Sequence, residues 1–292
     1  MRFSIDLHKL EPTEPLDSLS AKAAASRRGS ARRFPMLVAA IASLLAALAG
    51  NAQAGDASAR RVIGFSPDGA YFAFEQYGTL DRTDSHSGWS EIAILDTRTD
   101  EPAAGAPILV ASDKKGDIPV NQARALAASQ AAPLLVKYAI GARGQRVEHD
   151  GSSAPDTMIA ANEIGRVETA SERLLGTFQL EQILADSAKD CSASFDAARP
   201  GDKTGKALGF RLTLETPDGA PLKVLHEDKS VPEARNCPTS YSLSEVYEWR
   251  QKGKPTAIAV LVQRFSQGHD GRDRRFMAVT GQVADDSHSS SK

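Results

Sequence analysis

Two segments of the chain carry apolar alternation on both sides of a Pro-Asp-Gly turn, and this pattern restricts the fold more than any other feature of the sequence. They are RVIGFSPDGAYFAFEQYG at 61–78 and GFRLTLETPDGAPLKVLHED at 209–228. Proline at the second position and glycine at the fourth are typical of β-turns, and alternation predicts strands with one buried face. Both segments are therefore predicted to be β-hairpins.

The remaining chain adds strands and one helix. Strand-like runs lie at 90–97, 107–112, 244–249, 256–265 and 274–282, whereas 173–185 is ambiguous between helix and strand. An Ala-rich segment between Pro119 and Tyr138 predicts a helix, which Pro133 should kink or divide. We expect a mainly β (α+β) fold of antiparallel strands and hairpins, propeller-blade-like or sandwich-like, with one helical insertion.

The first 54 residues have the parts of a secretory signal peptide. Arginines precede an apolar run of 14 residues at 36–49, and small residues at 52 and 54 supply a cleavage site. We expect a signal peptide at 1–54, a single secreted β-rich domain at 55–283 and a disordered tail at 284–292. An N-terminal anchor is the rival interpretation, but a bilayer span needs about 20 apolar residues.

The charge balance argues against nucleic acid as a partner. The chain has a formal net charge of −2, and residues 1–54 hold seven basic and four acidic residues, which leaves about −5 for 55–292. Nucleic-acid affinity rests on clustered Lys and Arg, and no polybasic stretch remains. We expect a periplasmic or secreted protein that is not integral to a membrane once processed, with an envelope protein or a cell-wall component as its partner.

Cys191 and Cys237 are the two cysteines of the chain. Two cysteines in an oxidising compartment most often pair, so a Cys191–Cys237 disulfide is predicted. Free or metal-bound thiols are the alternative, although neither cysteine has a CxxC partner or a nearby histidine.

Two resemblances extend this picture. FSPDGAYFAF at 65–74 is similar to one repeat of the TolB-type β-propellers, although the chain lacks the period of about 40 to 45 residues that propeller blades show. Over roughly 63–281, GFSPDGAYFAFEQYG, SEIAILD, the Ala-rich helix, NCPTSYSLSEVYEW and AVLVQRFSQGHDGRDRRFMAVTG occur in the order of a bacterial family of predicted secreted proteins of unknown function. The family resemblance implies export and a shared fold, and it implies no activity.

A weak internal echo links the two ends of the predicted domain. The Phe-Ser turn of the first hairpin and the strand SEIAILD at 90–96 are echoed at 263–281 and 244–250, in swapped order. The swap is compatible with two chain ends that lie side by side in one sheet. Chance similarity between amphipathic strands is the alternative.

Two motifs superficially match serine enzymes. GFSPDG at 64–69 approaches a nucleophile elbow, but that motif needs glycine two residues after the serine and a helix after the turn. Ser66 is therefore interpreted as a turn residue. SDKK at 112–115 with KTG at 203–205 matches parts of penicillin-binding enzymes without their third element. No catalytic residue is assigned.

Metal ligands are weakly indicated, and no cofactor is expected. His269, Asp270 and Asp273 share a Gly-rich loop at 268–275, which lacks the ligand spacing of an EF-hand. A loose calcium site and a solvated hairpin both remain open for this loop.

A polar pocket is the remaining candidate site. Charged or aromatic residues within or beside apolar strands make up the set: Glu75, Tyr77, Glu91, Glu245 and Arg264. Charges in such places commonly form cross-strand ion pairs, so a purely structural role is the alternative.

The leading functional interpretation is a non-enzymatic binding or scaffolding domain of the cell envelope. An envelope-directed hydrolase with an unrecognised Asp/Glu/His site is the alternative, and a structural domain without a small ligand is a third possibility. Strongly shifted pKa values in a concave pocket would favour the enzyme, and a flat aromatic patch would favour the binding module.

Overall fold

The computed structural model describes residues 56–82, 85–112, 117–142, 144–147, 149–150, 165–169, 176–191, 205–216, 218–268 and 271–284. They belong to one compact unit that begins at Gln53. The expected signal peptide and the tail from 285 onward lie outside the described residues. Across the described residues the fold is mainly β with one helix, as predicted, and this helix lacks the length and apolar character needed to cross a bilayer.

The first sheet, here called the helix-side sheet, contains five strands: β1 Ala59–Phe65, β2 Tyr71–Arg82, β3 Ser85–Asp96, β4 Glu101–Pro102 and β5 Ile108–Ala111. Its order is β1-β2-β3-β4, and β5 also pairs with β3. The predicted hairpin is confirmed, with the Gly69 amide donating to the Ser66 carbonyl across the turn.

One helix, α1 Val120–Lys137, covers this sheet. Ala123, Ala127 and Ala131 are fully buried because their spacing of four residues puts them on one helix face. Close packing also requires Gly88 of β3, where a Cβ would lie 2.4 Å from the Val120 nitrogen. Pro133 lies inside α1, which continues through it as one helix, so of the two expected effects the proline does not divide the helix.

The outer sheet contains six strands: β7 His149–Asp150, β8 Gly165–Thr169, β9 Thr177–Ser187, β10 Lys206–Glu215, β11 Pro221–Glu227 and β12 Ser230–Val231. Its order is β11-β10-β9-β8-β7, and β12 pairs in parallel with β9. The second predicted hairpin is β10–β11, and the ambiguous segment 173–185 supplies β9.

The central sheet contains the last three strands of the described chain and one short earlier strand. They are β6 Gln145–Val147, β13 Pro238–Trp249, β14 Thr256–Gln267 and β15 Arg272–Val283. The order is β15-β14-β13-β6, which leaves β15 at one edge. A 3-10 turn, Glu233–Arg235, precedes β13.

The central sheet separates two apolar cores. Ile258, Val260 and Val262 of β14 pack against the outer sheet, while the alternate residues Ala257 and Ala259 pack against the helix-side sheet. Because successive side chains of a strand point to opposite faces, a strand covered on both sides is apolar at nearly every position. The helix and three sheets therefore form stacked layers, the sandwich-like alternative of the predicted fold class.

The two ends of the described chain meet at one isolated bridge, but the echoed segments lie in two different sheets and not in one sheet as the echo suggested. Ala57 forms a parallel bridge with Arg274 at the outer edge of β15. The Ser58 amide donates to the Arg274 carbonyl at 3.1 Å, and the Arg274 amide donates to the Asp56 carbonyl at 2.9 Å.

The predicted disulfide is confirmed. Cys191 and Cys237 are bonded, with a sequence separation of 46 residues. Their sulfurs lie in a small apolar cluster with Ala185, Ala207 and Val231. The bond ties the end of β9 to the residue that precedes β13.

Candidate functional site

A cleft of about 570 Å³ opens where the edge of the central sheet lies between the two flanking sheets. Its floor is residues 276–278 of β15, and we call it the β15 cleft. The helix-side wall includes Glu91, Ala93, Leu95, Glu101 and Pro102; the outer wall includes His226, Glu227, Asp228, Lys229, Ser230 and Arg235. Apolar and charged groups thus face the same space.

His226 is the centre of the outer wall. Its Nδ1 lies 3.0 Å from Asp100 Oδ2, and its Nε2 lies 3.0 Å from Asp228 Oδ1. Its ring stacks on Phe210 at 4.8 Å. Burial alone would lower the pKa of His226, but hydrogen bonds to the two carboxylates raise it to about 9. The imidazolium is therefore the form present at neutral pH, and it donates from both nitrogens.

Asp228 is held by the outer sheet and by the turn before β13. Its Oδ2 accepts a hydrogen bond from the Phe210 amide at 3.0 Å, and Arg235 Nη1 lies 2.7 Å from both of its oxygens. Burial would raise the pKa of this carboxyl, but His226 and Arg235 outweigh burial and hold the pKa below its usual value. A Cβ on Gly209 would lie 2.8 Å from Asp228 Cβ, so glycine makes room for this carboxylate.

Asp100 connects the same group to the central sheet. It ends the turn between β3 and β4 in the left-handed backbone region, with φ of 62°, which Asp tolerates better than most residues. Its Oδ1 accepts the Thr280 amide of β15 at 2.7 Å, while its Oδ2 contacts His226. One carboxylate therefore bridges all three sheets.

Glu91 lies on the opposite wall of the cleft. Its Oε1 accepts a hydrogen bond from Gln76 Nε2 at 3.2 Å, and Gln76 Oε1 accepts the Phe276 amide of β15 at 2.9 Å. Burial raises the pKa of Glu91, and the nearby Arg264 and Arg275 offset this only in part. Glu91 is thus a lining carboxyl that resists ionisation.

Arg264 is an electrostatic neighbour of Glu91. It lies directly opposite Arg275 across β14 and β15, and its Nη1 donates to the Ala234 carbonyl at 3.5 Å. Burial and the positive charge of Arg275 lower its pKa. Of the five predicted pocket residues, the structure brings Glu91 and Arg264 together near the β15 cleft.

Glu75 and Tyr77 lie elsewhere, beneath α1. Glu75 is 1% exposed; its Oε1 accepts from Arg124 Nε at 2.8 Å and from Ser90 at 3.1 Å, and its Oε2 lies 2.8 Å from Arg61 Nε. The guanidinium of Arg124 also stacks on Tyr77, 3.7 Å from the ring centroid. These contacts fix the helix to its sheet.

Glu245 belongs to a third location, where β13 faces β1 and β6. Its Oε2 accepts from Arg60 Nε at 2.9 Å, and Arg146 lies 3.4 Å from its other oxygen. The Tyr247 hydroxyl donates to Glu245 at 3.2 Å. Burial raises the pKa of Tyr247 to about 12. The five predicted pocket residues therefore occupy three separate places.

The remaining motif residues make structural contacts. The Ser66 hydroxyl donates to Asp68 at 2.6 Å and accepts the Tyr71 amide at 2.9 Å, which is a turn arrangement. Asp273 Oδ1 accepts the Asp56 amide at 3.0 Å. His269 and Asp270 lie outside the described residues, and no group of three metal-binding side chains occurs within the described part of the chain.

Sequence reasoning missed the outer wall of the cleft. His226 and Asp228 end the second predicted hairpin at alternate positions, which puts them on one strand face and was the available signal. Asp100 precedes His226 by 126 residues, and no local pattern connects the two.

Comparison with known proteins adds one family. The family model described as Predicted secreted protein (DUF2259) matches residues 73–282. No curated protein and no solved structure matches the chain.

Proposed function

Because the chain belongs to this family of predicted secreted proteins, we propose that it acts in the periplasm or cell envelope as a non-enzymatic binding protein. Its ligand site is the β15 cleft. The volume of about 570 Å³ falls in the range of roughly 300 to 1,000 Å³ that is typical of ligand pockets. Apolar surface with a few fixed polar groups is also the usual composition of such sites.

The observation that carries the proposal is the state of His226. A general base needs a free lone pair near its operating pH, but both nitrogens of His226 lie 3.0 Å from carboxylate oxygens and its pKa is about 9. Asp228 is likewise engaged by Arg235 and the Phe210 amide. Ionisable groups fixed by one another orient a ligand without exchanging protons with it, which supports binding over catalysis.

A thermal-shift comparison of two tryptophan variants tests the location. Ser230 is exposed at the cleft and Ser129 is exposed on α1, so S230W obstructs the cleft and S129W is its matched control. The exported protein and both variants are screened with sugars, peptidoglycan fragments, peptides and lipids, because a ligand of the folded state raises Tm.

A compound that raises the Tm of the wild type and S129W, but not of S230W, supports the cleft. Equal shifts in all three proteins would contradict it, and so would the absence of any shift.

A second candidate, an envelope-directed hydrolase, is favoured by Glu91. Burial raises the pKa of this cleft-lining carboxyl, and a raised carboxyl pKa is a feature of general acids in glycosidase-type sites. The test is turnover of peptidoglycan fragments and peptides by the wild type and E91Q. Turnover that E91Q abolishes, with the fold retained, would replace the binding proposal.

A further inference from the structure

We propose that the β15 cleft binds an extended peptide segment by β-strand addition, with the ligand main chain pairing with the outer edge of β15. This inference rests on the proposed function and narrows its ligand class to peptides. Strand addition draws affinity from main-chain hydrogen bonds and specificity from alternate side chains.

The cleft exposes the edge of β15 and not one of its faces. Phe276, Met277 and Ala278 are consecutive, so their side chains alternate between the two faces of the central sheet. All three nevertheless line the same cleft. A space that meets both faces of a strand at once lies alongside its edge.

The main-chain groups at this edge follow from the register. β15 pairs with β14 without a bulge, so alternate residues direct their amide and carbonyl away from β14. The Phe276 amide donates outward to Gln76 Oε1 and the Thr280 amide outward to Asp100 Oδ1. Ala278 lies between them at the same phase and lines the cleft, so its amide and carbonyl are expected to point away from β14 into that space.

The two side-chain caps set the length of the docked segment. The side chains of Gln76 and Asp100 accept the hydrogen bonds of the outward Phe276 and Thr280 amides, so these amides are not available to a ligand. Four residue steps along a strand span about 13 Å. A segment of roughly three residues therefore fits between the caps, with its middle residue exchanging both main-chain hydrogen bonds with Ala278.

The walls specify alternate side chains. Ala93, Leu95 and Pro102 give the helix-side wall an apolar surface beside the exposed carboxylate of Glu101, whereas His226, Asp228 and Arg235 of the outer wall are paired with one another. Because side chains of an extended ligand alternate in direction, a segment with alternating apolar and charged residues matches both walls.

The charge of the ligand follows from the lining. Asp100 and Asp228 are paired with His226 and Arg235, and Glu227 is paired with Arg211, so these charges of the lining balance one another. Glu101 is exposed, with no ion pair among the described residues. The complementary ligand therefore carries basic side chains that face the helix-side wall, where Glu101 attracts them.

The probe is the capped pentapeptide acetyl-Val-Lys-Val-Lys-Val-amide, titrated against the full exported protein by calorimetry. In an extended strand the amides of all the lysines point to one edge and those of all the valines to the other. Two isomers are therefore compared, one N-methylated at the backbone nitrogens of both lysines and one N-methylated at the backbone nitrogens of two valines. Each isomer has two blocked amides, and the blocked amides lie on opposite edges of the peptide.

We expect one isomer to lose affinity by about tenfold, as the loss of a main-chain hydrogen bond predicts, and the other to keep the affinity of the parent peptide. Hydrogen exchange at the Ala278 amide should slow when the parent peptide binds. Equal effects of the two isomers, or unchanged exchange at Ala278, would overturn strand addition.

Protein variants test the same contacts. E101Q should weaken binding several-fold, while E181Q, an exposed control on β9, should not. A278P removes the outward amide at a position that makes no ladder bond to β14, where an edge strand tolerates proline; it should weaken binding about tenfold. If A278P does not fold, the two methylated isomers decide.

The outcomes separate this inference from the proposed function. If a sugar or lipid raises Tm in the wild type and S129W but not in S230W, while the pentapeptide does not bind, the cleft remains a ligand site and the peptide inference fails. If removal of residues 285–292 speeds exchange at Ala278, the chain's own tail occupies the edge and the inference is overturned. If nothing binds, both fail.

Discussion

His226 of the outer sheet lies with its Nδ1 3.0 Å from Oδ2 of Asp100 in the helix-side sheet, and this contact joins the two sheets beside the edge of the central one. The same ring contacts Asp228 at 3.0 Å. The protonated His226 side chain thus links the helix-side sheet directly to the outer sheet, although the two sheets pack on opposite faces of the central sheet and belong to different hydrophobic cores.

Raising the pH should weaken this link. The pKa of His226 is about 9 in the folded protein and about 6.5 in an unfolded chain. Its contribution is therefore fully present below pH 6.5 and is lost as pH rises through 9. The free energy of unfolding should fall by roughly 2 to 3 kcal/mol over this window, as measured by urea denaturation. H226Q should be less stable below pH 6.5 and should show a flatter profile; an unchanged profile would contradict the assignment.

Removal of the Glu75 charge should destabilise the protein. Glu75 is 1% exposed and contacts Arg61 and Arg124, so E75Q leaves two cations without their buried partner. A loss of about 2 to 3 kcal/mol is expected. The control is E181Q, whose carboxylate is 44% exposed and 3.6 Å from Arg211, and it should change stability by less than about 0.5 kcal/mol. Similar losses in both variants would be inconsistent with this account.

Unlike E75Q, the E91Q substitution should not lower the stability of the protein. Burial raises the pKa of Glu91, so its charged form opposes folding, and the opposition grows as pH rises through the folded pKa. Glutamine removes the charge and keeps a side chain that reaches Gln76. At pH 7 the free energy of unfolding should equal that of the wild type or exceed it by up to about 1 kcal/mol. A clear loss of stability in chemical denaturation would show that the carboxylate is a needed structural partner.

The disulfide should contribute strongly to stability. Closing a loop with a sequence separation of 46 residues stabilises a fold by about 4 kcal/mol in the chain-entropy model. The C191S/C237S double variant should lose approximately this amount in urea unfolding. Alkylation of the unreduced wild type should detect no free thiol, and detection of one would refute the bond in solution.

An added methyl group should test the space around Asp228. G209A places a Cβ 2.8 Å from Asp228 Cβ, whereas G141A has no atom within 4 Å of the new group. Overpacking at position 209 should cost about 1 to 3 kcal/mol, and G141A should be nearly neutral. Thermal unfolding of the pair is the measurement, and equal Tm values would argue that Asp228 moves freely.

Local sequence patterns were sufficient for the two hairpins, for α1 and for the long strands of the central sheet, but they gave no signal for the short strands β4, β6, β7, β8 and β12. Pro67 and Gly69 specify the first turn, and the alternation of apolar residues along the adjacent sequence specifies the strands on either side of it. Layer order is different, because it depends on which sheet covers which face. Local alternation at 209–228 identifies a hairpin and leaves open whether its apolar face meets the central sheet or α1.

The candidate site was only partly predictable for a related reason. A charged residue in an apolar strand was the criterion, and it selected Glu91 along with Glu75 and Glu245. Glu75 forms an ion pair with Arg124 of α1, which lies 49 residues away in sequence. No short-range signal separates a carboxylate with such a distant partner from one that lines a cleft, so the distinction appears only after the sheets are stacked.

The position of the central sheet has a consequence for the order of synthesis. The outer sheet and the helix-side sheet both rest on β13, β14 and β15, which are the last strands of the described chain. In a nascent chain that contains every earlier strand, the apolar faces of the helix-side sheet and of the outer sheet still lack the central sheet that covers both of them. The layer that completes both cores is made last, so the polypeptide cannot close into its final form until β13 to β15, in the last fifth of the chain, have been synthesised.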